Sequence, residues 1–119
     1  MENERAAGNK GELMIDLDEL AHAAYVGYLA HEFEDDVRII ALKIFMEASE
    51  LAEDIRAAVD TDFADHIGDQ GFSKQEEELA DIILLVLIMA GKGNLRITEA
   101  IKAKHKYNQS RPKLHGKKW

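Results

Sequence analysis

Nine consecutive apolar residues, Ile82 to Ala90, follow directly on the acidic stretch Glu76-Glu77-Glu78-Leu79-Ala80-Asp81. A helix needs ~20 apolar residues to cross a bilayer, so this run is core rather than membrane span. It also lacks the alternation of apolar and polar residues that a half-buried strand requires. A helix that is apolar all round is a buried one, and this segment is expected to be the most buried of the chain. The rest of the sequence agrees: Pro112 is the only proline, Leu, Ile, Ala, Glu and Lys are plentiful, and no run alternates. With 119 residues the chain supports one domain with a real core. The expected fold class is all-α, an antiparallel four-helix bundle-like domain that is oligomeric.

Local signals divide the chain further. Residues 1–14 are polar and glycine-containing without apolar period, and are expected to form a flexible arm ahead of a domain spanning 15–119. A first helix is predicted from about Asp16, its N-cap, to Phe33, with Leu17, Leu20, Ala21, Ala24 and Tyr28 as its apolar stripe. A second runs from about Asp36 to Ala58, with Ile40, Ile44, Leu51 and Ile55 on one face. Residues 59–72 hold aspartates and two glycines without period and read as a long connection. Ser73 with Glu76 forms a capping box for the third helix, Gly91-Lys92-Gly93-Asn94 breaks it, and a fourth follows from about Leu95 to Asn108. Pro112 and Gly116 then mark an irregular basic tail.

The net charge of −8 conceals a division. Residues 1–90 carry 22 acids against 6 bases, and residues 91–119 carry 1 acid against 9 bases. An acidic body repels nucleic acid and attracts divalent cations, while a basic tail suits phosphate. A ligand both metal-bound and phosphorylated satisfies both halves. The chain has no cysteine for a disulfide or a thiolate metal site. There is no basic segment leading into an apolar one near the N-terminus, so the expected location is cytoplasmic.

Two acids three apart on a helix lie on one face and can reach one cation. Six such pairs exist here, so spacing alone selects nothing: Asp16/Glu19, Glu32/Asp35, Glu47/Glu50, Glu50/Glu53, Asp62/Asp65 and Glu78/Asp81. Company selects. Glu47 stands on the stripe of Ile40, Ile44 and Leu51, and Glu78 and Asp81 stand on the face continued by Ile82 and Leu85. A buried ionised carboxylate costs several kcal/mol unless a counter-charge or metal compensates it. A plainer reading pairs Glu47 with Lys43 one turn back and leaves Glu78 to favour the helix dipole. For either pair alone the plainer reading is preferred, and for both on neighbouring antiparallel helices a joint site is preferred. Oxygen-only ligation without His or Cys selects a hard cation, Mg²⁺ with Mn²⁺ as a substitute. On the fourth helix Lys104, Asn108 and Arg111 extend the stripe of Ile97 and Ile101, where a cation, an amide and a guanidinium can grip phosphate oxygens. Lys102, Lys106, Lys117 and Lys118 are read instead as complements of the helix dipole and solvent.

Taken together these residues resemble the MazG-like family of all-α nucleoside triphosphate pyrophosphohydrolases. The signature of that family is ExxE, a gap of variable length, then ExxD. Here it stands as Glu47-Ala-Ser-Glu50, 27 intervening residues, and Glu78-Leu-Ala-Asp81. The wording EASELAEDI and EEELADIILLVLIMA is similar to the family's, and KHKYNQSRPKLHGKK resembles its K-xxx-N-xx-R-P ending. The resemblance covers about Val37 to Lys118. It implies a helical bundle that pairs with itself and Mg²⁺-dependent cleavage between the α and β phosphates of a nucleoside triphosphate, giving monophosphate and pyrophosphate. Glu47, Glu50, Glu78 and Asp81 would be the metal ligands, and Lys104, Asn108 and Arg111 the phosphate contacts. Glu47 and Glu50 are the expected catalytic residues, with Glu50 favoured as general base and Glu53 as a candidate behind it. The first helix, around Tyr25, Tyr28, His31 and Phe33, would help form a base pocket, and it matches no one substrate-specific branch. Stacking on a base by Tyr25, Tyr28, His31 or Trp119 is ranked below packing.

Two other classes compete. A di-iron carboxylate bundle needs two Glu-xx-His pairs, and only Glu19/His22 has that form. A non-catalytic helical oligomerisation or regulatory module with a basic tail is the alternative from outside enzymology, and the acidic first 90 residues weigh against its binding nucleic acid. A small bundle with a carboxylate-lined cleft has limited area to bury, which makes a homo-oligomer, dimer or tetramer, the expected state. The expected partners are thus a nucleoside triphosphate and further copies of the chain, with no membrane and no nucleic acid.

Overall fold

A computed structural model describes residues 16–57 and 63–112. The expected N-terminal arm 1–14, residues 58–62 of the long connection, and the tail beyond Pro112 with Lys117, Lys118 and Trp119 lie outside the described residues. Among the described residues there are four α-helices and no strand. No helix of these is long and apolar enough to cross a membrane.

Helix α1 spans Leu17–Ala30. It starts where predicted because the Asp16 carboxylate accepts hydrogen bonds from the Asp18 and Glu19 amides, meeting two donors that helical geometry leaves unpaired. It ends three residues earlier than the sequence suggests. Glu32 adopts φ 58°, which no helix continues, and the Phe33 amide turns back to the Tyr28 carbonyl. Helix α2, Val37–Arg56, opens under an Asp36 cap whose carboxylate also holds the Arg38 guanidinium.

The connection to the next helix contains a short 3₁₀ turn, Gly68–Gln70, closed by Gly71 at φ 94°. Helix α3, Lys74–Gly93, opens with the predicted capping box of Ser73 and Glu76. It ends within the expected segment 91–94. The helix runs through both glycines, and Asn94 at φ 52° closes it in the left-handed conformation that ends many helices. Helix α4, Ile97–Ser110, starts two residues later than expected.

Helix α3 is central and packs on both α1 and α2, whereas α4 leans mainly on α1. As α2 advances from Ile40 through Glu47 to Asp54, its neighbours on α3 recede from Ile88 through Asp81 to Glu78, so these two helices are antiparallel. The core lies in two patches: Ala21 with Leu87 and Ala90, and Tyr28 with Ile40 and Ile88. Gly91 makes the first patch possible. A Cβ there would collide with the Ala21 carbonyl oxygen and lie 2.9 Å from the Tyr25 Cβ, so α1 and α3 cross with nothing between their backbones.

The apolar run on α3 is only partly covered within one chain. Leu87, Ile88 and Ala90 are buried, while Ile83, Leu84 and Val86 are exposed. On α2, Leu42, Phe45 and Met46 are exposed as well, Phe45 to 69%. Ile55, predicted on the inner stripe, is also exposed.

Candidate active site

The α2–α3 pairing brings the two acidic motifs to one seam. Glu47 is half-buried and follows the inner stripe of Ile40 and Ile44. Burial pushes its carboxyl above the ordinary carboxylate range, and the charges of Glu50 and Asp81 push it further. Across the seam Asp81 is exposed by surface area, yet its carboxyl is raised, first by partial desolvation, then by the charge of Glu77, with His66 offsetting in part. Glu78 is raised by burial, then by a hydrogen-bonded carboxyl partner, Asp54, and by Glu47, with Lys74 opposing at 3.9 Å. These acids face one another more than they face cations. Glu50 is exposed.

Sequence spacing singled out neither Asp54 nor Glu77. Asp54 was legible, since residues 47, 50 and 54 lie i, i+3, i+7 on one helix face. Glu77 was not, because its role depends on the connection folding back. Its carboxylate accepts from the His66 amide at 3.0 Å and the Ile67 amide at 3.2 Å, and it pairs with the His66 imidazole Nδ1 at 2.7 Å. The His66 bonds hold Glu77 below the usual carboxylate range, and the same pairing raises His66. Lys74 adds an ion pair to Asp65 at 3.3 Å. The connection is thereby fastened to the first turn of α3, beside Glu78.

A cleft of about 430 Å³ opens against this seam, lined by Tyr28, Phe33, Lys43, Met46, Glu47, Asp81, Leu84, Leu85 and Ile88. One carboxylate from each motif therefore reaches the same space, beside an otherwise apolar and aromatic wall. Lys43 does not pair with Glu47 one turn away, as the plainer sequence reading had it. Its ammonium donates to the Tyr28 hydroxyl at 2.7 Å and lies 4.9 and 5.0 Å from the ring centres of Tyr28 and Phe33. Glu47 is left without a cation among the described residues.

Lys104, Asn108 and Arg111, expected as phosphate contacts, are not joined to the carboxylates by any hydrogen bond or ion pair among the described residues. Lys104 lies over the Tyr107 ring, 4.9 Å from its centre, and Arg111 approaches the same ring at 5.8 Å. Asn108 is half-buried, and its Oδ1 meets no hydrogen-bond partner among the described residues. For a metal, the chemistry of the donor set fits: oxygen-only, anionic and short of counter-charge, as Mg²⁺ prefers. The geometry fits less fully, because no three Asp, Glu or His side chains converge as a metal cage among the described residues. No protein-family model, no curated protein and no solved structure matches the chain.

Proposed function

We propose that this chain is a Mg²⁺-dependent nucleoside triphosphate pyrophosphohydrolase of MazG-like type, working as a homo-oligomer on the nucleotide pool. The observation that carries the reading is the shared cleft, where Glu47 of the ExxE motif and Asp81 of the ExxD motif meet an apolar, aromatic wall. Acids crowded against acids lose free energy unless a cation is bound, and a metal–triphosphate complex brings one.

Glu47, Glu50, Glu78 and Asp81 would hold the metal, with Mn²⁺ able to substitute. When bound, it supplies charge neutralisation of the triphosphate and acidifies the attacking water. The water oxygen attacks the α-phosphorus, the bond from that phosphorus to the α–β bridging oxygen breaks, and pyrophosphate leaves. Glu50 accepts the water proton in this reading. It is preferred over Glu53, whose carboxylate is taken by Arg56 in two hydrogen bonds. After burial, the hydrogen-bonded Asp54 carboxyl is what raises Glu78 above its ordinary range. Lys104, Asn108 and Arg111 enter as phosphate contacts on their chemistry and on the family resemblance.

The exposed apolar side chains of α2 and α3 outside the cleft, Leu42, Phe45, Ile83 and Val86, support pairing with a second copy that completes the bundle. Chromatography with light scattering reads this directly.

The test of the activity is incubation with a panel of nucleoside triphosphates in Mg²⁺ or EDTA, with products resolved by ion exchange. Metal-dependent monophosphate and pyrophosphate is the expected result, and in ¹⁸O-water the label should enter the monophosphate. Diphosphate plus phosphate, or no turnover of any nucleotide, overturns the proposal in favour of a non-catalytic helical module.

A further inference from the structure

The cleft contains one cation, and its surroundings limit what it can recognise. Lys43 is half-buried, one turn before Glu47 on α2. Its only hydrogen-bond acceptor among the described residues is the Tyr28 oxygen at 2.7 Å. An ammonium has three donors and no acceptor capacity, so two donors remain for a ligand. The Tyr28 hydroxyl is itself committed, because it donates to the Glu34 carbonyl at 2.7 Å while receiving from Lys43. Tyr28 is 7% exposed, and its ring lies 5.1 Å from that of Phe33, which is 51% exposed. The polar pair therefore stands at the edge of an aromatic wall.

Such a corner offers ammonium donors and a π-surface, and its one neutral side-chain acceptor, the Tyr28 oxygen, sits on a buried residue and already receives Lys43. The other polar groups of the cleft, Glu47 and Asp81, are the ones the metal takes in the reading above, on which this step rests. We infer that Lys43 is a specificity-determining residue that hydrogen-bonds a keto oxygen on the nucleobase, so that the preferred substrates are nucleoside triphosphates with a keto group at pyrimidine position 4 or purine position 6. An exocyclic amino group at that position would set donor against donor, leaving both unpaired in a partly desolvated corner. A site built to hydrogen-bond a substrate group discriminates strongly against an analogue that cannot answer it. The packing explains why Lys43 holds this position: the two rings beneath the ammonium and the Tyr28 oxygen fix it without a carboxylate that would use up its donors.

The experiment compares kcat/KM for the pairs UTP/CTP and ITP/ATP in the wild-type enzyme, Lys43→Met and Lys43→Arg. The expected wild-type preference for the keto member of each pair is about tenfold or more, the scale of one well-placed hydrogen bond. Lys43→Met removes the donors at similar length and should bring both ratios close to one, while Lys43→Arg keeps donors and most of the preference. Equal loss for both members of each pair would make Lys43 a phosphate contact and overturn the inference, as would a wild type that prefers amino bases. Should the wild type turn over nothing, the activity proposal fails by itself. Metal-free binding of UMP and CMP, read by saturation-transfer NMR, then judges Lys43 alone. A UMP preference lost in Lys43→Met sustains the inference, and its absence overturns it.

Discussion

Acids at the two ends of the α2 region experience opposite surroundings. At the α1–α2 corner, Asp35 receives the Lys92 ammonium at 3.2 Å and the Tyr25 hydroxyl at 3.1 Å, and these hold its carboxyl below the usual range. Along the α2–α3 seam, Glu47, Glu78 and Asp81 are raised by burial and by one another. At the corner Asp35 and Asp36 are each answered within the chain, by Lys92 and Arg38. The seam carries an excess of negative charge that the described residues do not answer. Regions built for stability tend toward the first pattern, and perturbed groups in a cleft are candidates for function.

The comparison breaks most visibly through catalysis. Glu47→Gln, Glu78→Gln and Asp81→Asn should each lower turnover by about a thousandfold, the scale on which a pre-placed charge acts in a transition state, with the helical circular dichroism unchanged. Asp35→Asn should do the reverse, lowering the melting temperature while turnover stays within about threefold. Turnover lost in Asp35→Asn and kept in Glu47→Gln would reverse the assignment of the two regions.

Mg²⁺ should distinguish them next. At a concentration about a hundred times its dissociation constant, a ligand bound only by the folded state adds about 2.7 kcal/mol. The corresponding rise in melting temperature should vanish with EDTA and in the Glu47→Gln/Glu78→Gln double variant, and survive in Asp35→Asn. Equal stabilisation of wild type and double variant would place the metal elsewhere.

Gly91 sharpens the comparison from the side of the scaffold. Adding a methyl where α3 meets the Ala21 carbonyl should cost roughly 1–3 kcal/mol by overpacking. Denaturant melts of Gly91→Ala read that loss, and kcat per folded molecule should be little changed. A variant as stable as wild type would mean that α1 and α3 do not cross so closely.

The smallest effect is in pH dependence without metal. Glu47, Glu78 and Asp81 have folded-state pKa values above their unfolded ones, so their contribution to stability is fully present below the ordinary carboxylate range, about pH 4. It is lost as pH rises through the raised values. Asp35 is depressed, so its contribution is present above the ordinary range and lost as pH falls through its lowered value. Melting temperatures across pH should show both limbs. Glu47→Gln/Glu78→Gln should flatten the upper limb alone and Asp35→Asn the lower alone.

Much of the local structure was legible from residues close in sequence. Asp16 and the Ser73–Glu76 box cap their helices as the sequence suggests, because a cap needs only a side chain and amides two or three residues on, and Asp36, the expected start of the second helix, proves to be its cap. Glu47 and Asp81 stand on the faces that periodicity indicated, and they share one cleft. The helix ends inside the expected segment 91–94, at Asn94, and Gly91 has a second role outside the helix: it lets α1 pass close. The helix carrying the apolar run Ile82–Ala90 holds the most buried residues of the described helices, as expected, yet burial depends on what covers each face, and one chain covers only part of the run.

By itself the sequence determined the helices, their caps, and which acids share a helical face, since all of these follow from spacing within three or four residues. Only the tertiary structure decided that Asp54 stands against Glu78, that Glu77 holds the His66 segment, and that Lys43 leaves Glu47 for Tyr28 and Phe33. Those pairings join elements far apart in the chain. Their choice rests on how α1, α2 and α3 cross, which no local pattern of residues records.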